Sequence, residues 1–403
     1  MNDRPEPALP LAGLRVLDLT NVLAGPFCTY LLALMGAEVV KIEQPGRGDL
    51  ARRLGADPEA AARGMGASFV AVNAGKQSVT LDLKHPQGKE AFHRFVGTAD
   101  AVVENFRPGV MDRLGLGWDV LSELRPSLVY CAISGFGADG PMAGRPAYDQ
   151  IVQGIAGVMS VTGDAQSAPM RVGYPVSDTT GGLTAAFAVV SALLGARATG
   201  QGRYLDVSML EATLASMGWV VSNHLNAGVD PVPMGNDNFT AAPSGTFRTG
   251  EGLLNIAANE DKQYAALCRL IGQEDLVTDP RFAARQARKV NRAALTEAVE
   301  AGLATRGAAE WEALLVGAGV PAGRVLSVPE VMRQPQLRDR GFVTEFEAPD
   351  GPQRVTRAGF RFGDGNPAPR APAPRLSADT DRWLAQLGYD AAEIARMRED
   401  GVL

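Results

Sequence analysis

Histidine is almost missing from this chain: three residues in 403, at His85, His93 and His224. No H-E-x-x-H, no Cys/His cluster and no G-x-S-x-G occurs, which argues against a metal hydrolase, a Ser-His-Asp enzyme and any bound metal. Cysteine is equally scarce. Cys28, Cys131 and Cys268 stand far apart with no C-x-x-C pair, so the chain is no disulfide scaffold and fits a reducing compartment. Positive charge is in deficit, 39 Lys and Arg against 45 Asp and Glu, for a net charge of −6. That balance argues against nucleic acid or an anionic membrane as partner. The N-terminus lacks a basic segment followed by an apolar one, so no secretory signal is read. The longest apolar helical run, Leu183–Gly195, is interrupted by Thr184 and Ser191 and is too short for a bilayer. A cytoplasmic protein is expected. What remains in supply is apolar residues, at 46%, and carboxylates. The length suggests two or three domains.

The first half reads as alternating strands and helices. Leu14–Leu19 is an apolar strand, followed by the loop Thr20–Pro26, a helix to about Met35 and a second strand at Val39–Ile42. This is the start of an open parallel sheet, whose ligands bind at the carboxyl ends of strands. Further strands are predicted at Ser78–Asp82, Ala101–Glu104, Leu128–Ile133 and Arg203–Val207, with a helix at Gln87–Gly97. Gly135–Gly140 matches G-x-G-x-x-G, but Pro141 and Pro146 follow and no helical periodicity begins, so a plain glycine loop is expected. Met209–Asn226 reads as one long helix. Asp230–Gly245 is dense in turn formers and reads as a linker or mobile loop. A smaller, mostly helical unit follows, then strands near Phe342–Phe346 and Gln353–Thr356, a proline-rich connector and a closing helix pair.

Chemistry is expected at Gly173–Gly182, G-Y-P-V-S-D-T-T-G-G, with Asp178 at its centre. The residue before a proline is pushed out of the α region, so Tyr174-Pro175-Val176 should be extended and Asp178 should sit at a strand-to-helix junction. Unpaired amides and a positive dipole end favour a carboxylate there. Asp178 or Ser177 would equally serve as a plain N-cap. Gly181-Gly182 is unfavourable in a first helical turn and would let a bulky ligand approach closely.

Six ordered stretches share a pattern: L-R-V-L-D-L-T-N-V-L-A-G-P, M-G-A-E-V-V-K-I-E, N-A-G-K-Q-S-V-T-L-D-L-K, V-V-E-N-F-R-P-G, Y-P-V-S-D-T-T-G-G and V-S-M-L-E-A. From about Leu11 to the C-terminus the chain resembles the class III CoA-transferases and the related α-methylacyl-CoA racemases. The resemblance implies an α/β fold. A large doubly wound, Rossmann-like domain would form from residues 1–226 and 330–403, with a smaller α+β domain inserted at 227–329. It implies an interlocked homodimer, with Asp178 as catalytic aspartate. Asn21, Val22, Leu23, Ala24, Leu81, Lys84, Asn105, Phe106, Arg113 and Met209 fall where the family holds coenzyme A. Gln44 replaces an arginine common in the family, and Arg47 is the substitute. Gly235 and Asn236 fall where transferases carry a glycine-rich lid.

Tyr148, followed by Asp149, stands where the racemases place a histidine. A tyrosine of ordinary pKa, ~10, suits two-way proton transfer near neutrality poorly, which favours transferase chemistry over a racemase. Tyr148 packed in the core is the other reading, and Asp149 would orient it or touch substrate. A non-catalytic acyl-CoA binder is the reading of another class. The expected mechanism makes Asp178 a nucleophile that carries first an acyl group and then CoA, with oxyanion donors around Gly181 or Gly235. Lys84, Arg113, Arg107 and Arg47 are candidates for CoA phosphates. Arg145 and Arg171 are candidates for a second substrate carboxylate, which points to a small dicarboxylate.

Overall fold

β-Branched and aliphatic residues predominate in the four inner strands of the main sheet because both faces are buried there, the condition that turns alternation into near-continuous apolar runs. A computed structural model describes residues 9–363 and 366–403. The first eight residues, read above as free of a secretory signal, lie outside the described residues. Chain contacts divide the rest into two units. One holds the chain up to Val158, Arg171–Val229 and Gln336–Leu403; the other holds Met159–Met170 and Asp230–Pro335.

In the first unit, β1 (Arg15–Leu19), α1 (Ala24–Leu34), β2 (Glu38–Glu43), β3 (Gln77–Thr80), α2 (Pro86–Gly97), β4 (Ala101–Glu104) and β5 (Val129–Ser134) follow in order. Then come α3 (Asp149–Ile155), α4 (Val176–Thr199), β6 (Arg203–Ser208), α5 (Met209–Ser216) and α6 (Trp219–Ala227). The strands run in the order β3-β2-β1-β4-β5-β6, all parallel. This is the doubly wound, Rossmann-like arrangement, whose strand order reverses between β1 and β4. Val16, Val39, Ala101, Val103 and Cys131 pack on one face with α1 and α4. Leu17, Val40, Val102 and Tyr130 pack on the other with Phe92 and Phe95 of α2, and with Trp383 and Met397 of the C-terminal helices α7 (Thr380–Gln386) and α8 (Ala391–Glu399). In the second unit an antiparallel sheet, β7 (Ser244–Arg248), β8 (Leu253–Ala257) and β9 (Ala322–Arg324), packs with helices through Phe247, Ile256, Tyr264 and Trp311. The hairpin β10 (Val343–Phe346) and β11 (Gln353–Thr356) belongs to the first unit.

Several expectations are corrected. The apolar helix is 24 residues long and starts at Val176, not Leu183. Among the described residues it is the helix long and apolar enough to cross a membrane. Its Ala185, Val189, Leu193 and Ala196 are nevertheless packed into the core against α1 and the sheet. The predicted helix Met209–Asn226 is two helices, because Gly218 at φ 43° turns the chain between α5 and α6. Gly181 and Gly182 are not a gap for ligand. A Cβ on Gly182 would lie 2.5 Å from the Ala24 carbonyl oxygen, and one on Gly181 would lie 3.0 Å from Met209 Cγ. They are absent side chains that let α4 touch α1 and α5.

Gly182→Val should therefore push α1 from α4 and lower stability by about 1–3 kcal/mol, the usual range for overpacking. Denaturant unfolding checks this. A midpoint at or above that of the wild type would refute the close-approach argument.

Candidate functional site

The C-terminal ends of β1 and β4 flank the point where the sheet changes direction, and a cavity of about 260 Å³ opens there. Its lining includes the loop Asn21–Ala24, Asn105–Pro108, Arg145–Tyr148, Asp178 and Met209. The loop is held from several sides. Asn105 Oδ1 accepts from the Asn21 amide at 2.8 Å, and Asn105 Nδ2 donates to the Asn21 carbonyl at 2.9 Å. The Val22 amide donates to Asp49 Oδ1 at 2.9 Å. Val22 sits at φ 69°, a left-handed conformation that costs a β-branched residue on the order of 1–3 kcal/mol and persists only where the surroundings enforce it. Beyond it, α1 begins at Ala24 with no side chain capping it and no acid in its first turn. Its first amides have no intrahelical acceptor and carry the positive end of the helix dipole.

The start of α4 reaches the same cavity through Asp178. Its N-cap is Pro175, so neither Ser177 nor Asp178 caps it; Asp178 lies in its first turn. The approach is loop, not strand, which corrects the expected strand-to-helix junction. The cap comes from Asp149, in the first turn of α3. Its Oδ1 accepts from the Ser177 amide at 2.8 Å and lies 3.4 Å from the Asp178 amide, while its Oδ2 accepts from Gln153 Nε2 at 2.6 Å. Gln153, fully buried, also accepts from the Val172 amide at 2.8 Å and so fixes the chain leading into α4. Asp149 is thus turned to the helix and not to Tyr148. Burial, and then the negative Asp149, push Asp178 up to about 7.

The remaining predicted residues divide. Asn21, Val22, Leu23, Ala24, Asn105, Phe106, Tyr148, Met209 and Arg145 line the cavity with Asp178. Tyr148 is 68% exposed, which corrects the core-packing reading. Leu81 is buried among the sheet residues and its amide bonds to the Glu43 carbonyl, so its side chain is spent on packing. Arg47, Lys84 and Arg113 are exposed and lie outside the cavity lining, as does Arg171. Gly235 and Asn236 belong to the second unit. There the Gly235 amide donates to the Gly163 carbonyl, and Asn236 helps line a cleft with Asn238, Thr246 and Asn255. Gly135–Gly140 is a loop with no helix following it, as expected. Missed altogether was the capping role of Asp149 and Gln153, whose only signal was a D-Q-x-x-Q pattern before an uncapped helix.

The sequence pattern of CoA-transferase family III matches residues 11–380. The chain belongs to that family. It is 39% identical over 375 residues to an acetyl-CoA:oxalate CoA-transferase of Acetobacter aceti, covering 92% of this chain and 94% of that one. It is 32% identical over 399 residues to a succinyl-CoA:glutarate CoA-transferase of Mus musculus, covering 98% and 90%. Among solved structures it is similar to a CAIB/BAIF family protein of Brucella suis, with a TM-score of 0.83 at 35% identity over 94% of this chain and 100% of that one. This family III protein is a CoA-transferase, and acyl-CoA is its substrate. Among the described residues no group of His, Cys, Asp and Glu is arranged to hold a metal ion.

A carboxyl whose pKa is raised by folding makes the folded chain bind the extra proton between about pH 4 and about 7, so stability falls as pH rises through that window. Three pKa units are about 4 kcal/mol, and residual solvent access brings the expected effect to roughly 2–4 kcal/mol. Asp178→Asn should therefore be more stable than wild type at pH 8 and no more stable at pH 4. Unfolding at the two pH values measures this. An equal offset at both would contradict the assigned cause.

Proposed function

We propose that the chain moves CoA from an acyl-CoA donor to a small dicarboxylic acid, with Asp178 as the covalent carrier. The observation that carries this reading is a half-buried carboxyl, Asp178, that lines the same cavity as the uncapped start of a helix. Carboxylate Oδ attacks the thioester carbonyl, the C–S bond breaks, and a mixed anhydride and CoA thiolate form. The thiolate attacks the aspartyl carbonyl, which releases the donor acid and leaves an aspartyl-CoA thioester. The acceptor carboxylate attacks that thioester, expelling thiolate and forming a second anhydride. Thiolate then takes the acceptor acyl group and returns Asp178 as carboxylate. Every attack begins with one anion and ends with another, so no proton moves and no histidine is required.

Each attack also builds negative charge on a carbonyl oxygen. The amides of Leu23, the N-cap of α1, and of Ala24, its first residue, are the proposed donors. They replace Gly181, which lies inside α4. A raised pKa makes the carboxylate a stronger nucleophile, at the cost of a protonated fraction near neutrality. Asn21–Ala24, Asn105, Phe106 and Met209 are assigned to CoA, with Arg47, Lys84 and Arg113 as phosphate partners outside the cavity. Leu81 is left out of that set. Arg145 and Arg107 are the cations in the lining, suited to the far carboxylate of a dicarboxylate. The oxalate and glutarate in the relatives' names are dicarboxylates. Gly235 and Asn236 are assigned to a lid that excludes water from the anhydride. None of the three histidines lines the cavity, which disfavours a racemase.

A second copy is the proposed partner, in an interlocked homodimer. Leu183, Phe187 and Leu194 of α4 and Trp219 and Leu225 of α6 are 58–80% exposed, more large apolar surface than a monomer ordinarily leaves to water. Light scattering should give twice the chain mass, and Phe187→Glu with Leu194→Glu should halve it. Monomeric wild type would end the dimer assignment.

For the reaction, Asp178→Ala should lose all exchange while still binding CoA. Labelled donor thioester should leave an adduct on the Asp178 peptide. With succinyl-CoA and acetyl-CoA offered against mono- and dicarboxylates, the rate should rise with pH through about 7 as Asp178 ionises. Asp149→Asn should move that limb downward. Retained turnover in Asp178→Ala, or an adduct elsewhere, would overturn the mechanism; exchange confined to monocarboxylates would overturn the substrate class.

A further inference from the structure

Six charged side chains sit buried beneath the loop that forms the cavity wall, and none of them lines the cavity: Asp18, Lys41, Glu43, Asp49, Arg52 and Lys76. Burying so many charges is costly, and an ion pair inside a core is weak evidence for stability, since apolar residues often do as well or better. Their contacts point elsewhere, to the backbone of the loop. Asp18 Oδ1 accepts from the Thr20 amide at 2.9 Å. Lys41 Nζ donates to the Thr20 carbonyl at 2.7 Å and lies 3.0 Å from Asp49 Oδ2. Asp49 Oδ1 then accepts from Val22 at 2.9 Å and from Ala51 at 2.8 Å. Asp49 is anchored in turn. Its own amide donates to Glu43 Oε1 at 2.9 Å, and Arg52 grips both oxygens of Glu43 at 2.7 Å. Lys76 holds Asp18 at 2.9 Å and the Pro26 carbonyl, in the first turn of α1, at 2.9 Å.

We infer that the buried Lys41–Asp49 pair is a positioning element of the transferase: it holds Val22 in its left-handed conformation and so aims the open start of α1 at Asp178. Val22 at φ 69° is a conformation that valine abandons unless something enforces it. The Val22 amide has its acceptor on Asp49, and Asp49 is fixed by Lys41 on one oxygen and by the Glu43–Arg52 pair through its backbone. Relaxing Val22 to negative φ redirects the chain directly into Leu23 and Ala24, the amides assigned to the oxyanion. A misplacement of about 1 Å at such a group costs on the order of 100-fold in rate. Lys41 and Asp49 touch neither substrate nor Asp178; they act through Val22.

The inference rests on the assignment of the Asp178 cavity as the reaction site, and the test separates the two. Asp49→Ala should lower kcat by roughly 10–100-fold, measured well below its unfolding midpoint, with the KM for acyl-CoA within about three-fold of wild type. Asp49→Asn keeps an acceptor for the Val22 amide but sets a donor against Lys41 Nζ, and should lower kcat less than Asp49→Ala does. Adding Val22→Gly to Asp49→Ala should recover activity relative to Asp49→Ala alone, because glycine adopts positive φ without enforcement. A stabilising role alone predicts no such rescue, since glycine restores none of the lost buried contacts. If Asp49→Ala does not fold, Val22→Pro makes the same test with the ion pair intact, as proline forbids positive φ and removes the amide. It should lose kcat to the same extent. Unchanged kcat in Asp49→Ala or Val22→Pro overturns the inference, as does a folded double variant with no recovery. Turnover surviving Asp178→Ala would instead strike the site assignment.

Discussion

Asp149 accepting the amides of Ser177 and Asp178 is the contact on which the proposed chemistry depends. An aspartate in the first turn of a helix ordinarily turns back onto free amides and gains from the dipole, both of which lower its pKa. Here another carboxylate has taken that place. The outcome for Asp178 is the reverse of the usual one: its charge is unshielded, partly buried and beside a like charge. The helix remains capped, so the arrangement does not fray the structure that carries it. Gln153 completes the device by bonding Asp149 on one end of its amide and the chain before α4 on the other. One acidic residue is made unreactive by full hydrogen bonding, and that leaves its neighbour available.

The same economy governs the facing wall. The start of α1 is left uncapped where it lines the cavity, and the strain at Val22 is absorbed by buried charges behind it. A capped helix and a relaxed loop would be more stable and would offer no positive end to a developing oxyanion. Both halves of the site therefore hold local arrangements that folding alone would not select. Each is enforced by residues outside the cavity, as expected where strain sits at a functional site.

Most of the sheet was legible because its signal is local. Ala101–Glu104 is a strand to the residue, and Leu14–Leu19, Val39–Ile42 and Arg203–Val207 are within a residue or two. Runs of Val, Ile and Leu of that length fit a sheet covered on both faces. The failures share a cause, which is contact between distant segments. Val176–Thr180 reads as a cap region because Ser, Asp and Thr favour caps, yet the true cap lies at Asp149, 28 residues before Ser177. Gly181-Gly182 reads as room for a ligand, and in fact makes room for the Ala24 carbonyl and Met209. The break at Gly218 was hidden because the apolar pattern continues through it. Leu81 falls at a ligand position in the family and is nonetheless core.

The charges inside strands were the overlooked clue. Asp18 interrupts L-R-V-L-D-L and Lys41 interrupts E-V-V-K-I-E, both in runs otherwise fit for a core. A solvated face would explain one such charge, but strands covered on both sides have no solvated face. Opposite charges at corresponding places in neighbouring strands should therefore meet, and the register aligns Asp18 with Lys41. Their cost is several kcal/mol per ion unless hydrogen bonds satisfy them; the Thr20 amide and carbonyl do so for Asp18 and Lys41, and Asp49 beside Lys41 takes the Val22 amide. A paired charge buried at the carboxyl end of a parallel strand thus marks the loop beyond it as one whose shape is imposed. The alternation of the sequence locates such a charge, and ligands gather where parallel strands end.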